Sequence, residues 1–441
     1  MRAPLTKICG SAFRWLLAWL LAWILPAAFV PCPCRADVNA EWGGHVRGQA
    51  SLSRPDKESA YRRTGTRDFI DGAGEVRLKN RLFLGDRVVM ETHYEALFSS
   101  GDTRRKTAEI RRLLPESESF LAASGPPADD RRLLDLTKTL HETDGSALTH
   151  RLDRLYVKFL PKWGTLSVGR QALTWGNGLL FNPMDLFNPF SPTEIQRDYK
   201  TGDDMAVAEF SAERIGHFQF LVVPRRDPAS GDVTGDCSSL AGKLHVMKEG
   251  FEFECMAAGH YEEPVLGLGA SGYVKSAAWR MNAVYTFLDD HGEKEGFLGF
   301  VANMDTSWVW WEKNMYGLVE FYYSGLGDDD YAAAAGDPAV AERIERGELF
   351  TLGRWYLAGE IQVELHPLCR VFLTAITNLQ DPSIILQPRM TWDVAQDIQV
   401  LLGANVHAGG AGTEFGGFTI QGTDFVQRPA DSLFAWVTWY Y

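Results

Sequence analysis

The 441-residue sequence has no apolar run after residue 36 that is long enough to form a membrane-spanning helix. Its mean hydropathy is only -0.17. It also lacks an excess of positive charge, because the formal net charge is -13, and it becomes -17 when the four basic residues of segment 1–36 are left out. Since binding to nucleic acid depends on neutralising phosphates with basic side chains, this balance argues against a nucleic-acid partner.

Cysteine is scarce, and its spacing excludes several cofactor classes. No Cys-x-x-Cys or Cys-x-x-Cys-His motif occurs, so covalent haem and thiolate metal sites are not expected. The sequence therefore predicts neither a cofactor nor a metal. Segment 1–36 contains Cys9, Cys32 and Cys34, and the remainder contains Cys237, Cys255 and Cys369.

The amino-terminal segment has the pattern of an export signal. Basic residues precede an apolar run over 15–30, and small and polar residues follow it near Ala36. This pattern predicts a secretory signal peptide over 1–36 and a mature domain over 37–441. The alternative is an uncleaved anchor helix, but the run is shorter than the roughly 20 residues that a span needs and it contains Pro26.

Apolar and polar residues alternate in several segments, as they do in β-strands. Glutamates at 252 and 254 alternate with Phe251 and Phe253, and the same period of two recurs over 355–366. The last nine residues place one apolar set on a single face, namely Leu433, Ala435, Val437, Trp439 and Tyr441. A soluble sandwich would turn such a face toward a core, whereas a barrel would turn it toward lipid.

The spacing of the loops favours the barrel. Tight connections near 161–164, 214–216, 248–250, 274–276 and 366–368 alternate with long polar segments. Short periplasmic turns and long outer loops are typical of bacterial barrels. We therefore expect an all-β fold consisting of one transmembrane antiparallel β-barrel of about 18 strands, within a range of about 16–20, in the bacterial outer membrane.

The carboxy-terminal strand and a cluster of aromatic residues indicate how such a barrel would sit in its membrane. Trp439 and Tyr441 resemble the signal that the barrel assembly machinery recognises in its clients. Outer-membrane lipid and lipopolysaccharide are the expected surroundings. The predicted interfacial girdle residues are Trp308, Trp310, Trp311, Tyr322 and Tyr323.

Two adjacent segments carry a family resemblance. GRQALTWGNG over 169–178, followed by NPMDLFNPFSP over 182–192, resembles the strand and inward-folding loop of the alginate-export-like and related porin families of Gram-negative bacteria. The resemblance implies a monomeric barrel of about eighteen strands that passes a hydrophilic solute. The pores of polyanion exporters resemble a basic tunnel, however, and the acidic candidates in this chain argue against alginate itself.

Alternation assigns a set of charged residues to the lumen. The basic pore-lining candidates are Arg77, Lys79, Arg81, Arg154, Lys158 and Arg170, and the acidic ones are Glu252, Glu254, Glu360 and Glu364. Because the first set lies on early strands and the second on later ones, closure of the barrel would create a transverse field. The alternative is that these charges pair locally across neighbouring strands.

Arg170 departs from the simple pattern. Strict alternation groups it with Leu166 and Val168 on the lipid face. A bulge at Gly169 would turn it inward, and the alternative is that Arg170 snorkels at the rim.

These features predict an outer-membrane channel for passive passage of hydrophilic solutes or ions. The alternative is a structural sheath around a periplasmic or surface partner protein, such as a separately encoded multihaem cytochrome. We expect no enzyme activity, because His245, His260 and Ser276 are scattered without a hydrolase signature. Helices are expected in the loops over 107–114, 127–141 and 337–347.

Overall fold

The computed structural model describes residues 38–113, 127–195, 199–213, 215–288, 294–421 and 424–441. The predicted signal peptide lies outside these residues and stays a prediction. The described chain forms a 19-stranded antiparallel sheet and a separate two-stranded hairpin. One strand of the large sheet, β4, pairs only with β5, so eighteen strands close the ring.

The strands follow one another around the barrel in chain order. The first ten are β1 (Val38–Arg54), β2 (Phe69–Leu84), β3 (Val88–Gly101), β4 (Thr137–Glu142), β5 (Ser146–Phe159), β6 (Gly164–Gln171), β7 (Asp203–Ala212), β8 (Gly216–Arg226), β9 (Val233–Lys248) and β10 (Phe251–His260). The others are β11 (Glu263–Val274), β12 (Ala277–Phe287), β13 (Gly296–Trp310), β14 (Lys313–Ser324), β15 (Trp355–His366), β16 (Cys369–Asn378), β17 (Ser383–Ala395), β18 (Ile398–Ala408), β19 (Phe418–Thr419), β20 (Val426–Gln427) and β21 (Asp431–Tyr440).

The barrel closes between its first and last strands. Strand β1 pairs with β21 from His45 opposite Tyr440 to Arg54 opposite Asp431. Closure gives every wall strand two neighbours, which a bilayer requires because lipid offers no hydrogen bonds to a free strand edge. The predicted antiparallel barrel of about eighteen strands is confirmed.

The two faces of the strands differ as alternation predicts. On β21, Leu433, Val437 and Trp439 are 51–59% exposed on the outside, whereas Thr438 is 5% exposed on the lumen side. Among the predicted girdle residues, Trp310 and Trp311 are 53% and 78% exposed. The girdle assignment of Tyr322 is wrong, because its ring faces the lumen and stacks on Phe181 with centroids 4.4 Å apart.

Tight turns occur at the predicted positions between β5 and β6, β9 and β10, β11 and β12, and β15 and β16. One turn between β13 and β14 was not predicted, because Trp311 and Glu312 form it with φ angles of 47° and 58° instead of a glycine. On the opposite rim, β10 and β11 are joined by only Tyr261 and Glu262. Long outer loops are therefore the rule but not uniform.

The helical predictions are confirmed in part. Helix Pro338–Glu345 begins as expected at a capping Asp337, whose carboxylate accepts from the Ala339 N–H at 2.8 Å. A second α-helix spans Asp102–Leu113, and shorter helical turns span Ala60–Thr64 and Tyr331–Gly336. The helix expected over 127–141 is wrong, because this segment is irregular up to 136 and then pairs as β4 with β5.

No helix in the described part of the chain is long and apolar enough to cross a membrane.

Candidate functional site

The lumen is constricted by the connection between β6 and β7. Both strands are short, with 8 and 10 residues, and the connection over 172–202 turns into the barrel. We call it the inward loop; residues 196–198 of it lie outside the described chain. Trp175 and Phe187 of this loop are 1% and 2% exposed. They pack with the inner faces of β7–β12 in an apolar cluster that includes Met205, Val207, Leu221, Val223 and Val284.

Glu320 anchors the middle of the inward loop to the far wall. The backbone N–H groups of Leu179, Leu180 and Phe181 donate to its carboxylate at 2.7, 2.9 and 2.6 Å. Asn303 donates to the same carboxylate at 3.0 Å, and Glu320 is fully buried. The two carboxyl oxygens of Glu320 accept all four of these hydrogen bonds, so this one side chain fixes three successive residues of the loop.

The end of the inward loop contacts the opposite wall. The Tyr199 ring stacks on His45 of β1 with centroids 5.4 Å apart. The Arg77 guanidinium lies 4.3 Å from the centre of the same ring, and Lys79 donates to the Tyr199 hydroxyl. The loop therefore crosses the lumen from β14 to β1 and β2.

Above this contact, one part of the lumen is open. A cavity of about 530 Å³ lies against β1, β2, β3, β5 and β21. Its lining is dominated by short side chains, which explains why space remains here and not beside β7–β12. The short residues of the lining are Ala50, Ser51, Gly72, Ala73, Gly74, Ser99, Ser100 and Ala147.

The predicted basic residues lie mostly below this cavity, beside acidic partners. Arg77 is 3% exposed and contacts Glu95 and, at 3.2 Å, Asp153. Arg154 binds Asp153 at 2.6 Å. A register shift between β3 and β5 lets the side chains of these two successive residues both point inward.

Two further basic candidates lie toward the periplasmic end. Arg81 contacts Glu91 at 3.1 Å and stays about half exposed. Lys158 lies opposite Ser167 on β6, on the same strand face as Arg154.

The predicted acidic residues lie on a different part of the wall and also have partners on neighbouring strands. Glu254 contacts Lys243 at 3.0 Å, and Glu252 contacts His245 at 3.5 Å. On β15, Glu360 contacts Arg389 at 2.7 Å, and Glu364 accepts from Asn314 at 3.3 Å. Such local pairing weakens any transverse field, and the effect of these residues on ion flow remains a prediction.

Arg170 lies inside the wall. It is 1% exposed and contacts Asp204 at 2.9 Å, Asp129 at 2.8 Å and the Leu134 carbonyl at 2.6 Å. Because β6 and β7 are short, residues 127–136 fill the wall above them. The backbone of Arg132 forms an isolated antiparallel β-bridge with that of Arg225 at the end of β8.

Arg170 therefore lies neither in the lumen nor at the rim. No register shift occurs at Gly169 between β5 and β6. Burial disfavours the ionised form of Asp129, but hydrogen bonds from Arg170 and Arg132 outweigh this and lower its pKa to about 2. The sequence pattern could not reveal this site, because two of its partners, Asp129 and Leu134, come from a distant loop.

One set of residues has the order of a hydrolase triad. Ser239 Oγ lies 2.8 Å from His260 Nδ1, and His260 Nε2 lies 2.9 Å from Glu348 Oε1. However, Ser239 is 1% exposed, and Arg225 donates to its Oγ at 2.9 Å. A serine nucleophile must reach its substrate, so this arrangement is better suited to holding loop 325–354 against the barrel.

The closed barrel and its inward loop define the class of the protein. It is a closed antiparallel β-barrel with the architecture of outer-membrane proteins, and it resides in the bacterial outer membrane. No protein-family model matches the chain, and no curated protein sequence matches it.

Solved structures of outer-membrane porins share the architecture. The chain is similar to Acinetobacter baumannii OccAB4, with 8% identity, a TM-score of 0.51, and coverage of 93% of this chain and 100% of that one. It is also similar to A. baumannii OccAB2, with 8% identity, a TM-score of 0.50, and coverage of 91% and 98%. At these identities the likeness defines the fold alone.

Proposed function

We propose that the protein is a channel for passive passage of hydrophilic solutes, and that the passage runs along the wall formed by β1, β2, β3, β5 and β21. The observation that carries the proposal is the asymmetry of the lumen. The inward loop packs against β7–β17, whereas the open cavity of about 530 Å³ lies on the other side. Small polar side chains line this space, as a route for hydrated solutes requires.

The same asymmetry argues against a structural sheath. A sheath must leave its lumen free for a partner protein, but here the inward loop reaches across the lumen from Glu320 on β14 to His45 on β1. The remaining cavity has the size of a small-molecule pocket, which falls between about 300 and 1,000 Å³. We further propose that the assembly machinery inserts the barrel through its carboxy-terminal strand, with lipopolysaccharide around its outer half.

Conductance of the purified protein in planar bilayers tests the proposal. We expect discrete, stable current steps, because the inward loop is fixed at both walls. Very large or unstable currents would indicate an empty sheath. No current at all, from protein that still shifts its mobility on heating in detergent gels, would exclude a channel.

Ion selectivity tests the pore-lining residues. Because Glu252 is about half exposed, its charge acts on passing ions more than the buried ones do. We predict that Glu252→Gln with Glu254→Gln shifts the reversal potential toward anions at low salt, where screening is weakest. Arg154→Gln should shift it toward cations. Unchanged reversal potentials in both variants would remove these residues from the pore.

The resemblance to alginate-export-like families adds a narrower possibility, that the solute is a polyanion. The carboxylates of Asp71 and Glu75 in the cavity lining argue against it. We therefore propose an uncharged hydrophilic solute as the better match.

A further inference from the structure

We propose that the cavity beside β1, β2, β3, β5 and β21 is a binding site for a neutral mono- or disaccharide, with Trp436 as its aromatic platform. This inference rests on the proposed function, since the saccharide would be the solute that passes. The cavity volume of about 530 Å³ suits a mono- or disaccharide.

Trp436 is the one large aromatic ring that β21 contributes to the lining, and the surrounding side chains hold it in place. The Arg47 guanidinium lies 5.8 Å from the centre of the ring and donates through Nε to Thr438 at 3.0 Å. Phe434 packs beside it with centroids 5.8 Å apart. A sugar ring has an apolar face of C–H groups, which can stack on the negative face of an indole.

Polar groups that could bind sugar hydroxyls surround this ring. Gln49, Ser51 and Ser99 line the cavity, and within the described residues their side chains have no hydrogen-bond partner. Amides and hydroxyls both donate and accept, as sugar hydroxyls do, so they can exchange water for a saccharide with little net cost.

The charges of the lining favour a neutral ligand. Both carboxylate oxygens of Asp71 accept from Thr103, at 2.9 and 2.6 Å, and Glu75 contacts Arg47 at 3.2 Å. Arg104 contacts Glu142 at 3.1 Å. Each charged group of the lining therefore has its own counter-charge or donors, and none offers a free cation to an acidic solute.

Titration calorimetry of the purified protein in detergent, with maltose as the probe, tests this inference. We expect maltose to bind and Trp436→Ala to lower its affinity about tenfold, whereas Trp436→Phe should retain most of the affinity because a flat ring remains. Trp392→Phe is the matched control, because Trp392 on β17 faces lipid and is 48% exposed. The Trp392→Phe variant should bind maltose with the affinity of the unaltered protein.

Two comparisons keep the test decisive. If Trp436→Ala does not insert, Gln49→Ala with Ser99→Ala on β1 and β3 should still weaken maltose binding severalfold. Binding that is unchanged in every cavity variant would overturn the proposal. So would binding of malate in place of maltose, which would assign the cavity to carboxylates.

Bilayer currents separate this inference from the proposed function. Conductance without maltose binding overturns the saccharide site and leaves the channel intact. Maltose binding by protein that does not conduct supports the site and overturns the channel.

Discussion

At the scale of single residues, two buried polar side chains hold the irregular segments in place. Glu320 binds three backbone N–H groups of the inward loop, and Arg170 joins Asp129 and Asp204 within the wall. In both cases the polar atoms of a fully buried side chain are saturated by partners. Removal of one member leaves the others buried and unpaired, which costs more than an exposed pair contributes.

Glu320→Gln should loosen the inward loop. A glutamine carries one N–H₂ group that cannot accept, so some of the three loop N–H groups would lose their partner, at a cost of roughly 2–4 kcal/mol. We expect larger and noisier single-channel currents with the barrel still closed. Glu364→Gln is the matched control, because Glu364 is a lumen glutamate whose one side-chain hydrogen bond within the described residues is to Asn314. If the currents of Glu320→Gln equal those of Glu364→Gln and of the unaltered protein, Glu320 does not fix the constriction.

Arg170→Gln should destabilise the wall and leave ion selectivity unchanged. Loss of the guanidinium leaves Asp129 and Asp204 buried without their cation, a change that costs about 3–5 kcal/mol. We expect the unboiled barrel to unfold at a lower temperature on detergent gels. Arg81→Gln, at an exposed pair, should change stability by less than about 1 kcal/mol. A shift in reversal potential with normal stability would instead show that Arg170 lines the pore.

At the scale of elements, alternation predicted which side chains of a strand face lipid and which face the lumen. It did not predict where strands end. The faces of β10, β15 and β21 follow directly from their sequences, because a strand exposes every second residue. The short lengths of β6 and β7 and the wall-filling role of 127–136 do not, because they depend on contacts between distant segments. Arg170 and Glu320 belong to this second group, and the pattern assigned Arg170 to a different environment and overlooked Glu320.

The carboxy-terminal strand shows a second long-range contact. Tyr441 donates through its hydroxyl to the Arg77 carbonyl of β2 at 2.9 Å. It reaches past Gly44 of β1, where a Cβ atom would lie 2.0 Å from that carbonyl oxygen and 2.5 Å from the Tyr441 hydroxyl. Tyr441 therefore links the last strand to the second across the seam.

This contact separates two roles of Tyr441. Tyr441→Phe keeps the terminal aromatic residue, so we expect normal surface levels and a loss of about 1 kcal/mol of stability from the missing hydrogen bond. Tyr441→Asp, or removal of residues 439–441, should deplete the protein from the outer membrane. Normal surface levels of the Asp variant would show that this strand is not the insertion signal.

At the scale of the whole molecule, the barrel is a closed wall with an off-centre lumen. The inward loop and the apolar side chains of β7–β17 occupy one side, and the cavity occupies the other. Solute specificity would then depend on one wall, so substitutions on β1, β3 and β21 should change transport more than equivalent ones on β7 or β8.

Cysteine labelling during single-channel recording tests this account most directly. In a background without Cys237, Cys255 and Cys369, we would introduce Ser99→Cys in the cavity or Val207→Cys on the wall beneath the inward loop. A bulky thiol reagent should reduce the current through the Ser99→Cys channel and leave the Val207→Cys channel unchanged. Block at position 207 without block at 99, or no current steps in either protein, would contradict a passage along β1, β3 and β21.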